Sequence, residues 1–220
     1  MKILFLVSVL VGFAATAAGA RFYPWVALER LPSHTSVVAN GGRSEQFLIR
    51  LPADRISSHG GADTGLRGTP YPDGSRLPDA LAEQPLLVEQ FKVRDRSGSV
   101  VGVAARHWTE AEGEGATTWL LALPGRGTLA LAARGESRRA VDRALASGGW
   151  RRGESWSGEM DVVAAGAESE SARVVGGRAE FADLDGRYTE TWKIAGVGAS
   201  GEMRGTIQLD TVTFRRAGLT

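Results

Sequence analysis

The chain has 220 residues, 43% hydrophobic and 23% charged, with 29 Gly, 8 Pro, no Cys and a formal net charge of +1. Those fractions exclude a wholly disordered chain, a collagen-like repeat and a disulfide-built mini-protein. Near-neutrality gives no support to a nucleic-acid partner, which shows as a basic excess.

Residues 1–20 read as a secretory signal peptide. Lys2 supplies the positive start, Ile3 to Phe13 is an apolar run, and a stretch of small residues ends in Ala18-Gly19-Ala20. The apolar run is shorter than the ~20 residues a membrane-spanning helix needs. The expected mature chain is therefore residues 21–220, periplasmic or secreted and not membrane-spanning after cleavage. With no Cys there is no lipobox thiol, no disulfide and no Cys-ligated metal.

The mature chain reads as strands and tight turns. Asn40-Gly41 sits between the Val37-Val38 and Phe47-Leu48-Ile49 runs, and suits a two-residue hairpin. Residues 52–85 are rich in Pro and Gly and read as one long irregular loop, of a length that usually carries function or disorder. Arg96-Ser97-Gly98 and Pro124-Gly125-Arg126-Gly127 each join two apolar runs. Residues 136–147 form a helix candidate, with Ala140, Val141, Ala144 and Leu145 on one side, Ser137 as N-cap and Gly148-Gly149 as stop.

Beyond the helix the period returns to two. Trp156, Gly158, Met160, Val162 and Ala164 share a face. In the next strand but one, Tyr188, Trp192 and Ile194 oppose Arg187, Thr189, Thr191 and Lys193. Glu190 stands on the apolar side and calls for a strand end or a neighbouring Arg. Asp185-Gly186 reads as a hairpin turn. A phase shift between Leu209 and Val212 suggests a bulge in the last strand. The fold expected is all-β: an antiparallel sandwich or closed barrel of about eleven strands with one short helix. A single domain over residues 21–220 is favoured, with a sub-boundary near 135–150.

No motif identifies a reaction. Asp63-Thr64-Gly65 spells the aspartic-protease tripeptide, but that dyad needs two such loops and one is present. His59 and Asp63 lie in the same loop and are the catalytic candidates, in a hydrolase whose site the 52–85 loop would assemble. No zinc or calcium ligand spacing is complete, no nucleophile elbow occurs, and no phosphate-cradling loop is present. No cofactor and no metal are expected. Arg138, Arg139 and Arg143 in the basic stretch around the helix are anion-binding candidates. Trp25, Trp108 and Trp150 are candidates for stacking on a glycan, whereas Trp119, Trp156 and Trp192 fall on the apolar phase and belong to the core.

Gly177, Ala179, Phe181, Leu184, Gly186 and Tyr188 make a spaced pattern that resembles the glycine-and-aromatic hairpin of allene-oxide-cyclase-like and dirigent-like barrels. The resemblance spans about a dozen residues of ordinary hairpin chemistry and carries over no catalytic residue. It implies a barrel holding a small apolar ligand.

The leading expectation is a non-catalytic interaction or ligand-binding module of the cell envelope, whose partner is a protein, a glycan or a small apolar ligand. The enzyme built on the 52–85 loop is the alternative. An outer-membrane barrel is disfavoured, because charged residues occupy the outward phase where lipid-facing apolar bands are required.

Overall fold

A computed structural model describes residues 35–38, 42–59, 86–109, 116–134, 137–151, 153–166 and 172–215. The strands are β1 (Thr35–Val38), β2 (Gly42–Leu51), β3 (Arg55–His59), β4 (Leu86–Arg94), β5 (Val100–Thr109), β6 (Ala116–Leu123) and β7 (Gly127–Arg134). Helix α1 (Ser137–Ser147) follows, then β8 (Trp156–Ala165), β9 (Arg173–Ala179), β10 (Leu184–Val197) and β11 (Met203–Arg215).

Eight of these strands close on themselves. The order is β2-β11-β10-β9-β7-β6-β5-β4, and β4 returns to β2 through Leu48 opposite Arg94. All pairings are antiparallel, so the choice between sandwich and barrel falls to a closed eight-stranded barrel. Closure removes the open edges that would otherwise template aggregation. Three strands lie outside the cycle: β1 extends β2, β3 lies beside β4, and β8 lies beside the upper half of β10. Strands from both sides of α1 thus share one sheet.

Alternation decides what fills the barrel. Glu45, Phe47, Ile49 and Leu51 of β2 point inward, as do Thr117, Trp119, Leu121 and Leu123 of β6. Leu129, Leu131 and Ala133 of β7, and Tyr188, Glu190, Trp192 and Ile194 of β10, complete the wall. An eight-stranded barrel is just wide enough for such side chains, or for one small ligand among them. The core tryptophans were anticipated well: Trp119 and Trp192 are buried, and Trp156 packs half-buried against the core.

The helix stands where the sequence put it. Val141 and Leu145 are buried as α1 packs on β8. It ends in a Schellman cap, with the Trp150 amide donating to Leu145 O at 2.9 Å and the Gly149 amide to Ala146 O at 3.1 Å. Gly149 has φ +89°, the left-handed geometry this cap requires.

Three local expectations are corrected. First, residues 55–59 are not irregular: they form β3, whose Ser58 and His59 pair with Glu89 and Val88 of β4. Residues 60–85 lie outside the described residues. Second, Asp185-Gly186 is not the hairpin turn. The turn is residues 180–183, preceded by left-handed Ala179 and ending in left-handed Asp183, both at φ 56°. Gly186 lies inside β10, where an added Cβ would sit 2.1 Å from Val212 O; it serves the close approach of β11. Third, the irregularity at the end of the chain is in β10, between Ile194 and Gly196, not in β11. The inward phase of β11 runs unbroken through Ile207, Leu209, Thr211 and Thr213. Its last two members are polar because Thr211 and Thr213 donate to Glu45 O and Arg43 O across the sheet.

Candidate functional site

The inward phase of three strands carries a charge in its middle. On β4 it reads Glu89, Phe91, Val93; on β5 Ala104, Arg106, Trp108; on β10 Tyr188, Glu190, Trp192. Because inward positions alternate through these residues, the three charged groups point into the lumen. Glu89 and Arg106 are direct cross-strand partners, and so are Ser58 with Glu89 and Arg106 with Trp119. Ser58, Glu89, Arg106 and Trp119 therefore form one row across β3, β4, β5 and β6.

Arg106 is the centre of the site. Its side chain is 1% exposed, as is that of Glu89, which accepts a hydrogen bond from Arg106 Nη2. Arg106 Cζ lies over four aromatic rings, at 4.8 Å from Trp192, 5.1 Å from Trp108, 5.3 Å from Trp119 and 5.8 Å from Phe91. A guanidinium within about 6 Å of a ring gains roughly 0.5–2 kcal/mol, the more when desolvated. That is how a cation with few hydrogen bonds is tolerated in a barrel core.

Glu190 crosses the lumen from β10. Its Oε2 accepts from Trp119 Nε1 at 2.9 Å and its Oε1 from Trp192 Nε1 at 2.8 Å. Arg106 Nη1 is 3.9 Å from the same Oε1, an ion pair but not a hydrogen bond. Arg55 completes the charges: its Nη2 is 3.4 Å from Glu89 Oε1, with the Arg55 side chain 24% exposed. Two carboxylates thus face two guanidiniums, and the cluster is formally neutral.

Satisfaction of donors is uneven. Arg55 Nε, Ser58 Oγ, Arg106 Nε, Arg106 Nη1 and Tyr188 OH are buried without a hydrogen-bond partner among the described residues. Each such group costs about 1–3 kcal/mol. Burial, followed by the nearby Glu190 charge, pushes the Tyr188 phenol well above its ordinary range, so it keeps its proton and remains a donor. The carboxylates are the opposite case: both oxygens of Glu190 already accept, and Glu89 holds Arg106 and Arg55.

The barrel end at the hairpin turns 95–99, 124–126 and 180–183 is built differently. Arg126 donates Nε to Glu180 at 3.2 Å and Nη2 to Glu45 and Glu180 at 3.0 and 3.1 Å, while Nη1 also reaches Glu45. Its Cζ stacks on Phe181 at 4.9 Å, and Arg43 pairs with Glu180 at 2.9 Å. Burial alone would lower the Arg126 pKa, but the Glu45 and Glu180 hydrogen bonds raise it above the ordinary range. This network closes that end of the barrel.

The residues singled out from sequence are scattered. His59 ends β3, while Asp63 lies outside the described residues, so the geometry of that pair is not part of the site described. Arg138, Arg139 and Arg143 ride on α1, and Arg143 is exposed. Trp25 lies outside the described residues. Trp150 follows α1 and donates Nε1 to Glu154 O at 2.9 Å. Trp108 reaches the site, buried in the cage around Arg106. Glu89, Arg106 and Tyr188 were missed, although their signal was present: a charge or hydroxyl on the apolar phase of an alternating strand.

No family model matches the chain, and no curated protein sequence matches it. Among solved structures it is similar to two pterocarpan synthase dirigent proteins. The first is 14% identical over 80% of this chain and 96% of that one, at a TM-score of 0.40. The second is 14% identical over 80% of this chain and 90% of that one, at 0.38. A likeness at that level assigns neither ligand nor activity.

Among the described residues no cluster of three or more His, Asp or Glu is arranged to hold a metal ion. Among them, too, no helix is long and apolar enough to cross a membrane.

Proposed function

We propose that this protein is an exported, non-catalytic ligand-holding barrel, with the Arg106 site as the place where a small, largely apolar molecule is held. One observation carries the reading: Arg106 Nε and Nη1, with the guanidinium over four aromatic rings, are buried without a hydrogen-bond partner among the described residues, as is Tyr188 OH on the inward face of β10. A core evolved only for stability gains nothing from this. Apolar residues of similar volume usually serve as well or better than a buried ion pair, and each unmet donor subtracts from stability. A ligand that offers an acceptor and an apolar body relieves both costs. Apolar walls with a few convergent polar groups are the general composition of small-molecule sites.

Export rests on the sequence of residues 1–20, which lie outside the described residues. N-terminal sequencing of the protein recovered from its own cells is expected to begin at Arg21; a chain beginning at Met1 refutes export.

The ligand-holding reading is tested by native mass spectrometry of protein purified without denaturation. The expected result is a fraction carrying an added small mass that is released on unfolding. The same preparation of the Arg106→Met/Glu89→Gln double variant is expected to carry none. Equal loading of both proteins overturns the Arg106 site.

A further inference from the structure

We propose that the outward face of β5, β6 and β7 is the interface through which two copies of this chain pair. This face lies on the outside of the barrel and owes nothing to the Arg106 site.

The three strands are apolar on both phases. Inward, Ala104, Trp119, Leu121, Leu129 and Leu131 belong to the core. A strand with one face in water carries polar residues on that phase, whereas a strand covered on both sides reads as a continuous apolar run. Val103-Ala104-Ala105, Leu120-Leu121-Ala122 and Leu129-Ala130-Leu131-Ala132-Ala133 are such runs. Yet Val103 is 47% exposed and Leu120 45%. The strands have the composition of covered ones, with one face left uncovered.

Cross-strand register joins the outward residues into one field. Val103 pairs with Ala122 and Ala122 with Thr128; Ala105 pairs with Leu120 and Leu120 with Ala130. The next row runs from His107 through Thr118 to Ala132. Over residues 103–107, 116–122 and 128–132 no outward position holds Lys, Arg, Asp or Glu. Partial desolvation lowers the His107 pKa, so this imidazole is uncharged at neutral pH. Charge returns at the margins, with Lys92 opposite Val103 on β4 and Arg178 opposite Thr128 on β9. Elsewhere the outer wall is charged: Glu159 and Asp161 on β8, and Asp185, Arg187 and Lys193 on β10, all point outward.

An uncharged field is what a surface needs if it is to meet itself. In a two-fold dimer the same patch lies on both sides, so a charge at its centre would face its own copy or be buried alone. Small Ala and Thr side chains let two sheets approach to the ~10 Å of face-to-face packing. Size agrees as well. Strands β4, β5, β6, β7 and β9 lie side by side. At about 4.8 Å per strand and about 7 Å per row, the field and its margins span roughly 500 Å² on each copy and about 1,000 Å² on two. That reaches the area a specific interface needs, at the small end of the range. An uncharged centre with a charged rim is also the general anatomy of such interfaces. A lipid surface is the poorer match, because membrane-seated faces carry Trp, Tyr or Phe and none occupies this field.

Sedimentation velocity of the purified protein tests the pairing. A monomer-to-dimer transition is expected between about 1 μM and about 500 μM, since an interface this small gives roughly micromolar affinity. Leu120→Asp places a charge at the centre of the field, and Val103→Lys places one on the neighbouring strand. Each is expected to weaken the dimer by about tenfold or more, because the new charge must lose its water on pairing. Both positions are about half-exposed in the single chain, so the fold is expected to survive, which far-UV circular dichroism checks. Val163→Asp, at a 62% exposed valine of β8 outside the field, is expected to pair like the parent.

A protein that stays monomeric at about 500 μM overturns the interface. So does a dimer that Leu120→Asp and Val103→Lys leave unchanged. Flotation with phosphatidylcholine vesicles, abolished by Leu120→Asp, would overturn pairing and assign the face to lipid.

Discussion

Two buried arginines, Arg106 and Arg126, have nearly the same company and opposite states of satisfaction. Each is 3% exposed or less, each faces two glutamates, and each stacks on an aromatic ring. Arg126 spends all three nitrogens on Glu45 and Glu180 and lies in the turn that closes one barrel end. Arg106 makes one carboxylate hydrogen bond and leaves two nitrogens unmet among the described residues. A complete network is what a structural clasp requires, since the last unmet donor decides whether a buried ion pair is a gain or a loss. An incomplete one, ringed by aromatics, is a cost with no structural return. The difference separates a completed clasp at one barrel end from a lumen cluster whose donors are unmet among the described residues.

The comparison breaks first at Arg126. Arg126→Met strands Glu45 and Glu180 without their main partner and is expected to cost about 3–5 kcal/mol. Urea unfolding should show a lower midpoint at unchanged slope; a loss below about 1 kcal/mol would remove the clasp.

The Arg106→Met/Glu89→Gln variant removes one cation and one anion together, leaving Glu190 on its two indole N–H donors and the part-exposed Arg55 without the Glu89 charge. Its stability is expected to stay within about 1 kcal/mol of the parent, since replacing a buried pair is often neutral or stabilising. A loss as large as that of Arg126→Met would make the two clusters equivalent and erase the contrast.

Tyr188→Phe sharpens it further. The hydroxyl has no partner among the described residues, so its deletion is expected to leave stability unchanged or raise it by up to about 1 kcal/mol. A clear loss would mean that the phenol is satisfied and belongs to the core.

The smallest effect concerns a third cluster, at the β2–β3 turn. Buried Asp54 accepts from Arg94 Nε at 2.9 and 3.0 Å, from Arg94 Nη2 at 2.8 Å and from the Arg50 amide at 2.9 Å. Burial alone would raise its carboxyl, but those bonds outweigh burial and hold it below the usual range. A depressed folded-state value means the contribution is complete above the ordinary aspartate value of about 4 and is lost as pH falls through the folded one. Unfolding midpoints measured from pH 5 down to pH 2 should therefore decline, and the decline should be shallower in Asp54→Asn. Parallel curves would show that Asp54 is not a source of acid lability.

Sequence alone reached the strand-and-turn class, the position of α1 with its Gly149 stop, the inward face of β10, and the side of β8 on which Trp156, Met160 and Val162 meet the core. These follow from periods of 2.0 and 3.6 and from cap chemistry, which act within a dozen residues. It misplaced the turn before β10 because Asp185-Gly186 has hairpin composition. The glycine there answers instead to Val212, twenty-six residues away, and no local rule can see such a contact. It placed a bulge in β11 because Thr211 and Thr213 look outward by polarity. Their partners are backbone carbonyls on β2, so they point inward.

The site shows the same division. Glu190 was legible as an anomaly, a carboxylate on the apolar side of its strand, and an arginine neighbour was the expected remedy. Arg106 is that neighbour, but it comes from β5, eighty-four residues earlier, and Glu89 from β4. Each is one charged residue in an alternating strand until closure turns the three faces toward one another. Local pattern fixes which way a side chain points, because that depends only on the pleat. Which charges meet, and which donors are left unmet, is decided by the strand order and shear of a closed barrel.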